Sequence, residues 1–145
     1  MQATNVRQKD VIMLNEHYKR ERRMLQIAVF VAACIPVAAG AGGMVAGTSF
    51  FLNAGDASLD SHFRYLSGLL CGLGLSFWFM IPRIEQHTVT VRILTFLVVL
   101  GGSARLASAV WVAIPSLPMQ LAIGMELVVT PLLCLWQTRI AKLAR

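Results

Sequence analysis

Two charged side chains stand alone inside long uncharged stretches. Arg105 is the single charge between Ile93 and Ile114, and Glu126 is the single charge between Met119 and Thr138. Arg64 is likewise alone between His62 and Ile81, close to the start of that run. An arginine and a carboxylate in such surroundings can pair, bind an anionic or polar ligand, or relay a proton or ion. His62 and Tyr65, about one helical turn apart beside Arg64, could join such a site, although a lone His at an interface more commonly serves as a solvated or capping residue. Acid–base catalysis would have to use Glu126 and His62, and no second titratable partner stands at catalytic spacing. A bis-His haem requires convergent imidazoles, whereas His17 and His87 are expected on the opposite side from His62. There is no Gly-rich phosphate loop, no H-E-x-x-H metal motif and no nucleophile elbow. The sequence therefore predicts no cofactor, no metal and no catalytic set.

Each charge within an apolar span costs about 2.5–3.5 kcal/mol on insertion scales, so each needs an account. At a helical rise of about 1.5 Å per residue, Arg105 lies roughly 18 Å from the Ile93 end of its span. That is about 12 Å below the opposite boundary of a 30 Å core. Glu126, seven residues past Met119, lies roughly 11 Å below that same boundary. Arg64 starts only about 3 Å down but has a side chain long enough to descend. Small residues flank all three: Gly101, Gly102, Ser108 and Ala109 around Arg105, Ala122 beside Glu126, and a Gly68, Gly72, Ser76 stripe after Arg64. Ala39, Gly43 and Gly47 form a similar stripe on the first span. Small residues line helix seams in membranes, which predicts an inward-facing Arg64–Arg105–Glu126 cluster with His62 and Tyr65 at its mouth. The cluster has two readings: a ligand site, or an internal ion pair that fixes helix register. Two arginines against one carboxylate leave a surplus positive charge suited to an anionic group.

The elements that would hold these residues follow from hydropathy. The 145-residue chain is 57% hydrophobic and 14% charged, against about 25% charged in a soluble domain. Its uncharged runs predict four transmembrane helices at about 24–47, 62–81, 93–114 and 119–138. Pro82 ends the second, Pro115 and Pro118 separate the third from the fourth, and Pro36 falls inside the first. Asp60 or Ser61 is a candidate cap for the second helix. The basic region before the first run is too long, and that run itself too extended, for a secretory signal. The fold class is all-α, an integral membrane four-helix bundle occupying 24–145, preceded by a basic segment at 1–23. That segment reads either as an amphipathic helix, with Val11, Leu14 and Tyr18 at helical spacing, or as a frayed tail.

Lys and Arg set the orientation. Six precede the first span, two lie between spans two and three, three follow span four, and the other two loops have none. Eleven against zero predicts that both termini are cytoplasmic. Trp78, Trp111 and Trp136 fall near the predicted interfaces, as amphipathic anchors do. The basic segment, beside a span and without interleaved aromatics, points to anionic lipid and away from nucleic acid. Cys34, Cys71 and Cys134, an odd number inside apolar runs, read as small hydrophobes.

Four segments carry a resemblance: Ser61–Gly68 (SHFRYLSG), Ile81–Glu85 (IPRIE), Gly101–Arg105 (GGSAR) and Glu126–Pro131 (ELVVTP). Together they resemble a family of small bacterial four-span membrane proteins known as a domain of unknown function, across about residues 20–140. The resemblance implies an all-helical bundle in a bacterial inner membrane and implies no activity. Three functions remain open. The first is a non-enzymatic accessory subunit, or a binder of a lipid or other anionic amphiphile, working with a membrane-protein partner or as a homo-oligomer. The second is a small oligomeric transporter or permeation component, for which no inverted repeat is visible. The third is a membrane enzyme acting on a lipid or quinone-like substrate.

Overall fold

The computed structural model describes residues 2–50 and 56–144, with side chains from Met13 onward. Asn53 and Gly55, the end of the first apolar run, and Arg145 lie outside the described residues, as do the side chains of Arg7, Lys9 and Val11. The described residues are helical apart from short turns, with no strand. Five helices are α1 (Gln2–Ala46), α2 (Ala57–Met80), α3 (Thr88–Trp111), α4 (Leu117–Gly124) and α5 (Thr130–Leu143). Helices α4 and α5 are joined by a π turn at Met125–Val129 into one fourth span, so four helices are long and apolar enough to cross a membrane.

The basic segment is helical and continuous with the first span. A 30 Å bilayer core takes about 20 helical residues, fewer than half of the 45 in α1. The helix runs through Pro36 without interruption. Other boundaries differ from the hydropathy reading. Helix α2 starts at Ala57 and is capped by Asp56, whose carboxylate accepts the Leu59 N–H at 2.7 Å, rather than by Asp60 or Ser61. Capping needs a side-chain acceptor ahead of the first turn, and hydropathy marks only where apolar residues begin. Helix α3 starts at Thr88, not Ile93, and ends at Trp111, three residues short of Ile114.

The chain forms two compact units. In residues 27–82, the second part of α1 and helix α2 make a hairpin. Its seam is built by close approach: a Cβ added to Gly40 would meet the backbone of Cys71 at 2.5 Å and Ser67 O at 2.7 Å. Gly74 approaches the backbone of Ala33 and Val37 in the same way, and Gly43 lies against the Ser67 hydroxyl. The seam on α2 is thus Ser67, Cys71 and Gly74. The expected stripe of Gly68, Gly72 and Ser76 sits one to two residues off it, with nothing near Gly72. A strict step of four drifts around a 3.6-residue helix, whereas alternating steps of four and three stay on a partner. Phe30 and Trp78 stack at 5.3 Å, and the indole donates to Phe30 O at 3.2 Å.

The other unit comprises residues 1–26 and 83–145. Here α3 packs on α4, the π turn and α5. Leu25, Ile84, Ile140 and Gln137 are the largest fully buried side chains among the described residues. Gln137 donates to Ile84 O at 2.7 Å and to the Thr88 hydroxyl at 3.0 Å, tying α5 to the start of α3 and to the short 3-10 turn Ile81–Gln86 before it. Arg22 pairs with Glu85 at 2.9 Å, and Arg139 reaches Glu21 at 3.3 Å.

Candidate functional site

Pro131 shapes the fourth span locally. It has no N–H to donate to the carbonyl of Leu127, and its ring would clash there in a regular helix. One extra residue per turn relieves this conflict. The Thr130 N–H bonds back five residues to Met125 O, and the Thr130 hydroxyl donates to the same oxygen at 3.0 Å. Such π turns within helices recur at functional sites. Glu126 lies within this one.

Opposite Glu126 is α3. A Cβ on Gly102 would stand 2.8 Å from Glu126 Cβ and 2.9 Å from Leu127 Cδ2, so glycine is what lets the two helices close here. One turn further along α3, Arg105 Nε lies 3.4 Å from Glu126 Oε1. Its Nη1 donates toward Met119 Sδ at 3.1 Å. Glu126 Oε2 is buried without a partner among the described residues. The pair is lopsided: the carboxylate side chain is 17% exposed and the arginine 39%. The carboxylate is the more deeply packed of the two, and among the described residues the guanidinium has partners for Nε and Nη1. Arg105 is six residues from the end of α3, roughly 9 Å of helix, and Glu126 nine residues from the start of α4, roughly 14 Å.

Arg64 belongs to the hairpin unit. Its Nε donates to Asp60 at 2.7 Å, and its Nη1 donates to Met44 O at 2.7 Å and Val45 O at 2.8 Å, two of the last carbonyls of α1. Asp60 in turn accepts the Thr48 N–H at 2.9 Å. Gly47, at φ +61°, makes the intervening turn, and a Cβ there would run into Asp60 and Arg64. This clamp satisfies carbonyls that every helix end leaves open. His62 and Tyr65 are exposed and, with Ala57, Ser58 and Ser61, border an open depression of about 720 Å³ on one face of α2. The structure thus joins Arg105 to Glu126, commits Arg64 to Asp60 and the end of α1, and sets His62 beside Tyr65. Sequence reasoning missed Met119 and the π turn. Pro131, five residues after Glu126 inside an apolar run, was the available signal for the turn.

Four helices long and apolar enough to cross a membrane, with an arginine and a carboxylate paired inside two of them, define a small multi-pass membrane protein. The chain belongs to the family described as a domain of unknown function, DUF4345, whose profile matches residues 24–137. The resemblance carried by the four sequence segments is therefore correct. No curated protein and no solved structure matches the chain.

Proposed function

We propose that this protein is a non-enzymatic binder of an anionic amphiphile, with Arg105 as the contact and Glu126 as the carboxylate that an arriving anion displaces from it. The carrying observation is the unequal burial of the pair, 39% for Arg105 against 17% for Glu126. An ion pair serving register alone gains most when both members are packed and all donors satisfied. Arg105 is instead more than a third exposed and has partners only for Nε and Nη1 among the described residues, which leaves donors of a planar fork suited to a phosphate or carboxylate. In this reading the Lys and Arg imbalance puts both termini in the cytoplasm of a bacterial inner membrane. Arg105 then lies in the half of the bilayer away from the termini, close enough to a headgroup layer for its side chain to reach up.

The test is native mass spectrometry of the protein in mild detergent, titrated with phosphatidylglycerol and with phosphatidylcholine. The wild type should retain phosphatidylglycerol preferentially. Arg105→Gln should lose one bound copy, and Glu126→Gln, which removes the competing carboxylate, should retain it at least as well. An unchanged count of bound phosphatidylglycerol in Arg105→Gln refutes the reading.

A further inference from the structure

At the other end of the same unit lies a groove unrelated to the Arg105–Glu126 pair. It encloses about 460 Å³ between α1 and α5 and is lined by Glu21, Met24, Leu135, Trp136 and Arg139. Its walls sort by chemistry. Met24, Leu135 and Trp136 make an apolar wall ending in an indole, the side chain that favours membrane–water boundaries. Arg139, 64% exposed, stands at the mouth and is oriented by Glu21 at 3.3 Å. Arg20 lies one helical turn before Met24 and Lys142 just beyond Arg139, and both are exposed. Lys19 differs in being paired with Glu16 at 3.0 Å. Glu21 Oε2 is buried with no hydrogen-bond partner among the described residues, although His17 stands 3.7 Å from the other oxygen.

We infer that this groove binds the headgroup of an anionic phospholipid from the leaflet facing the termini. The phosphate would lie among Arg139, Arg20 and Lys142, with the upper acyl chain along Met24, Leu135 and Trp136. Charge and polarity choose the occupant. An exposed arginine on an apolar trough, with Arg20 and Lys142 exposed about one helical turn away from lining residues on the same two helices, suits a group that joins a phosphate to hydrocarbon, and basic residues at a membrane surface each favour anionic lipid. Glu21 fixes the guanidinium across the groove mouth.

The experiment reads Trp136 directly. In the protein carrying Trp78→Phe and Trp111→Phe, Trp136 is the sole indole, and the first of these substitutions keeps an aromatic ring against Phe30. Its quenching is compared in vesicles carrying brominated phosphatidylglycerol or brominated phosphatidylcholine at equal mole fraction. Phosphatidylglycerol should quench more strongly, and Arg139→Gln and Arg20→Gln should each weaken that preference by about fivefold. Equal quenching by the two lipids, or a preference untouched by Arg139→Gln, overturns the proposal. If the double tryptophan variant fails to fold, the full chain with its own tryptophans is weighed by native mass spectrometry: Arg139→Gln should release one phosphatidylglycerol, and no release overturns it. Arg105→Gln should leave the Trp136 preference intact. Its loss there would assign the preference to the pair in the spans and refute the groove, so the two sites fail separately.

Discussion

Gly40 and Gly72 offer a matched test of how the hairpin in residues 27–82 is held together. Both are glycines within apolar helices, and alanine should improve helix propensity at either by up to about 1 kcal/mol. Their surroundings differ. A Cβ at Gly40 would meet Cys71 N at 2.5 Å, Ser67 O at 2.7 Å and Cys71 Cα at 2.8 Å, whereas nothing lies within 4 Å of one at Gly72. Ordinary contact between such atoms needs about 3.5 Å, so Gly40→Ala must push the two helices apart by roughly 1 Å. The atoms in the way are backbone, so no side chain can rotate to make room. Overpacking of this kind costs about 1–3 kcal/mol, and a backbone clash belongs at the upper end. Less the propensity gain, Gly40→Ala should destabilise by about 2 kcal/mol, while Gly72→Ala should be neutral or stabilise by up to about 1 kcal/mol. The predicted gap is therefore about 2–3 kcal/mol, measured by reversible unfolding in mixed micelles followed by helical circular dichroism. If the two variants lie within about 0.5 kcal/mol of each other, the close seam is not what holds this hairpin.

Three further outcomes follow from other places in the molecule. Gly47→Ala forces a left-handed backbone on a residue with a Cβ and drives that carbon into the Asp60–Arg64 clamp, so it should cost at least about 1–2 kcal/mol in the same unfolding measurement. Gln137→Ala removes the donor for Ile84 O and the Thr88 hydroxyl in a fully buried position, and a loss of about 1–3 kcal/mol is expected; a wild-type stability would show that water replaces the amide. Pro131→Ala restores the missing N–H and lets the π turn relax to a regular helix, turning Glu126 by about 100° relative to α5. A double-mutant cycle between Arg105 and Glu126 should give a coupling of about 0.6–1.7 kcal/mol in the native chain and much less in the Pro131→Ala background.

The four spans and the meeting of Arg105 with Glu126 were legible in the sequence, and for one reason. A tight proline-containing turn joins two antiparallel helices, so residues at similar distances from it must lie at similar depth, and counting from Pro115 and Pro118 is enough. The seam of the hairpin was only partly legible. Small residues announced it, but Ser67, Cys71 and Gly74 face α1 although Gly68, Gly72 and Ser76 make the more regular stripe, because a rotation of one residue leaves the composition of a glycine-rich helix unchanged. Gln137 was invisible: a glutamine near the polar end of an apolar run looks the same whether it faces solvent or, as here, is fully buried against Ile84 and Thr88. The Glu21–Arg139 and Arg22–Glu85 pairs join residues 118 and 63 positions apart. No local pattern encodes such pairings.

Arg64 and Arg105 have the same side chain in comparable settings, yet the structure gives them different work. The Arg64 guanidinium is consumed by a neighbouring carboxylate and by two carbonyls that the end of α1 would otherwise leave open. Replacing it would uncover the chain's own polar groups, so its role is to close the turn. Arg105 has a carboxylate at 3.4 Å and a thioether sulfur at 3.1 Å, and sulfur is a weak acceptor for a cation. No backbone carbonyl depends on it. An arginine that satisfies nothing in the fold beyond one carboxylate, and costs free energy to keep inside a span, is better placed to meet a group from outside than to hold helices together. The same reasoning makes the pair's thermodynamics diagnostic: the anion reading requires that Glu126→Gln leave anionic lipid bound, while a register-fixing pair requires that Arg105→Gln and Glu126→Gln destabilise the fold alike.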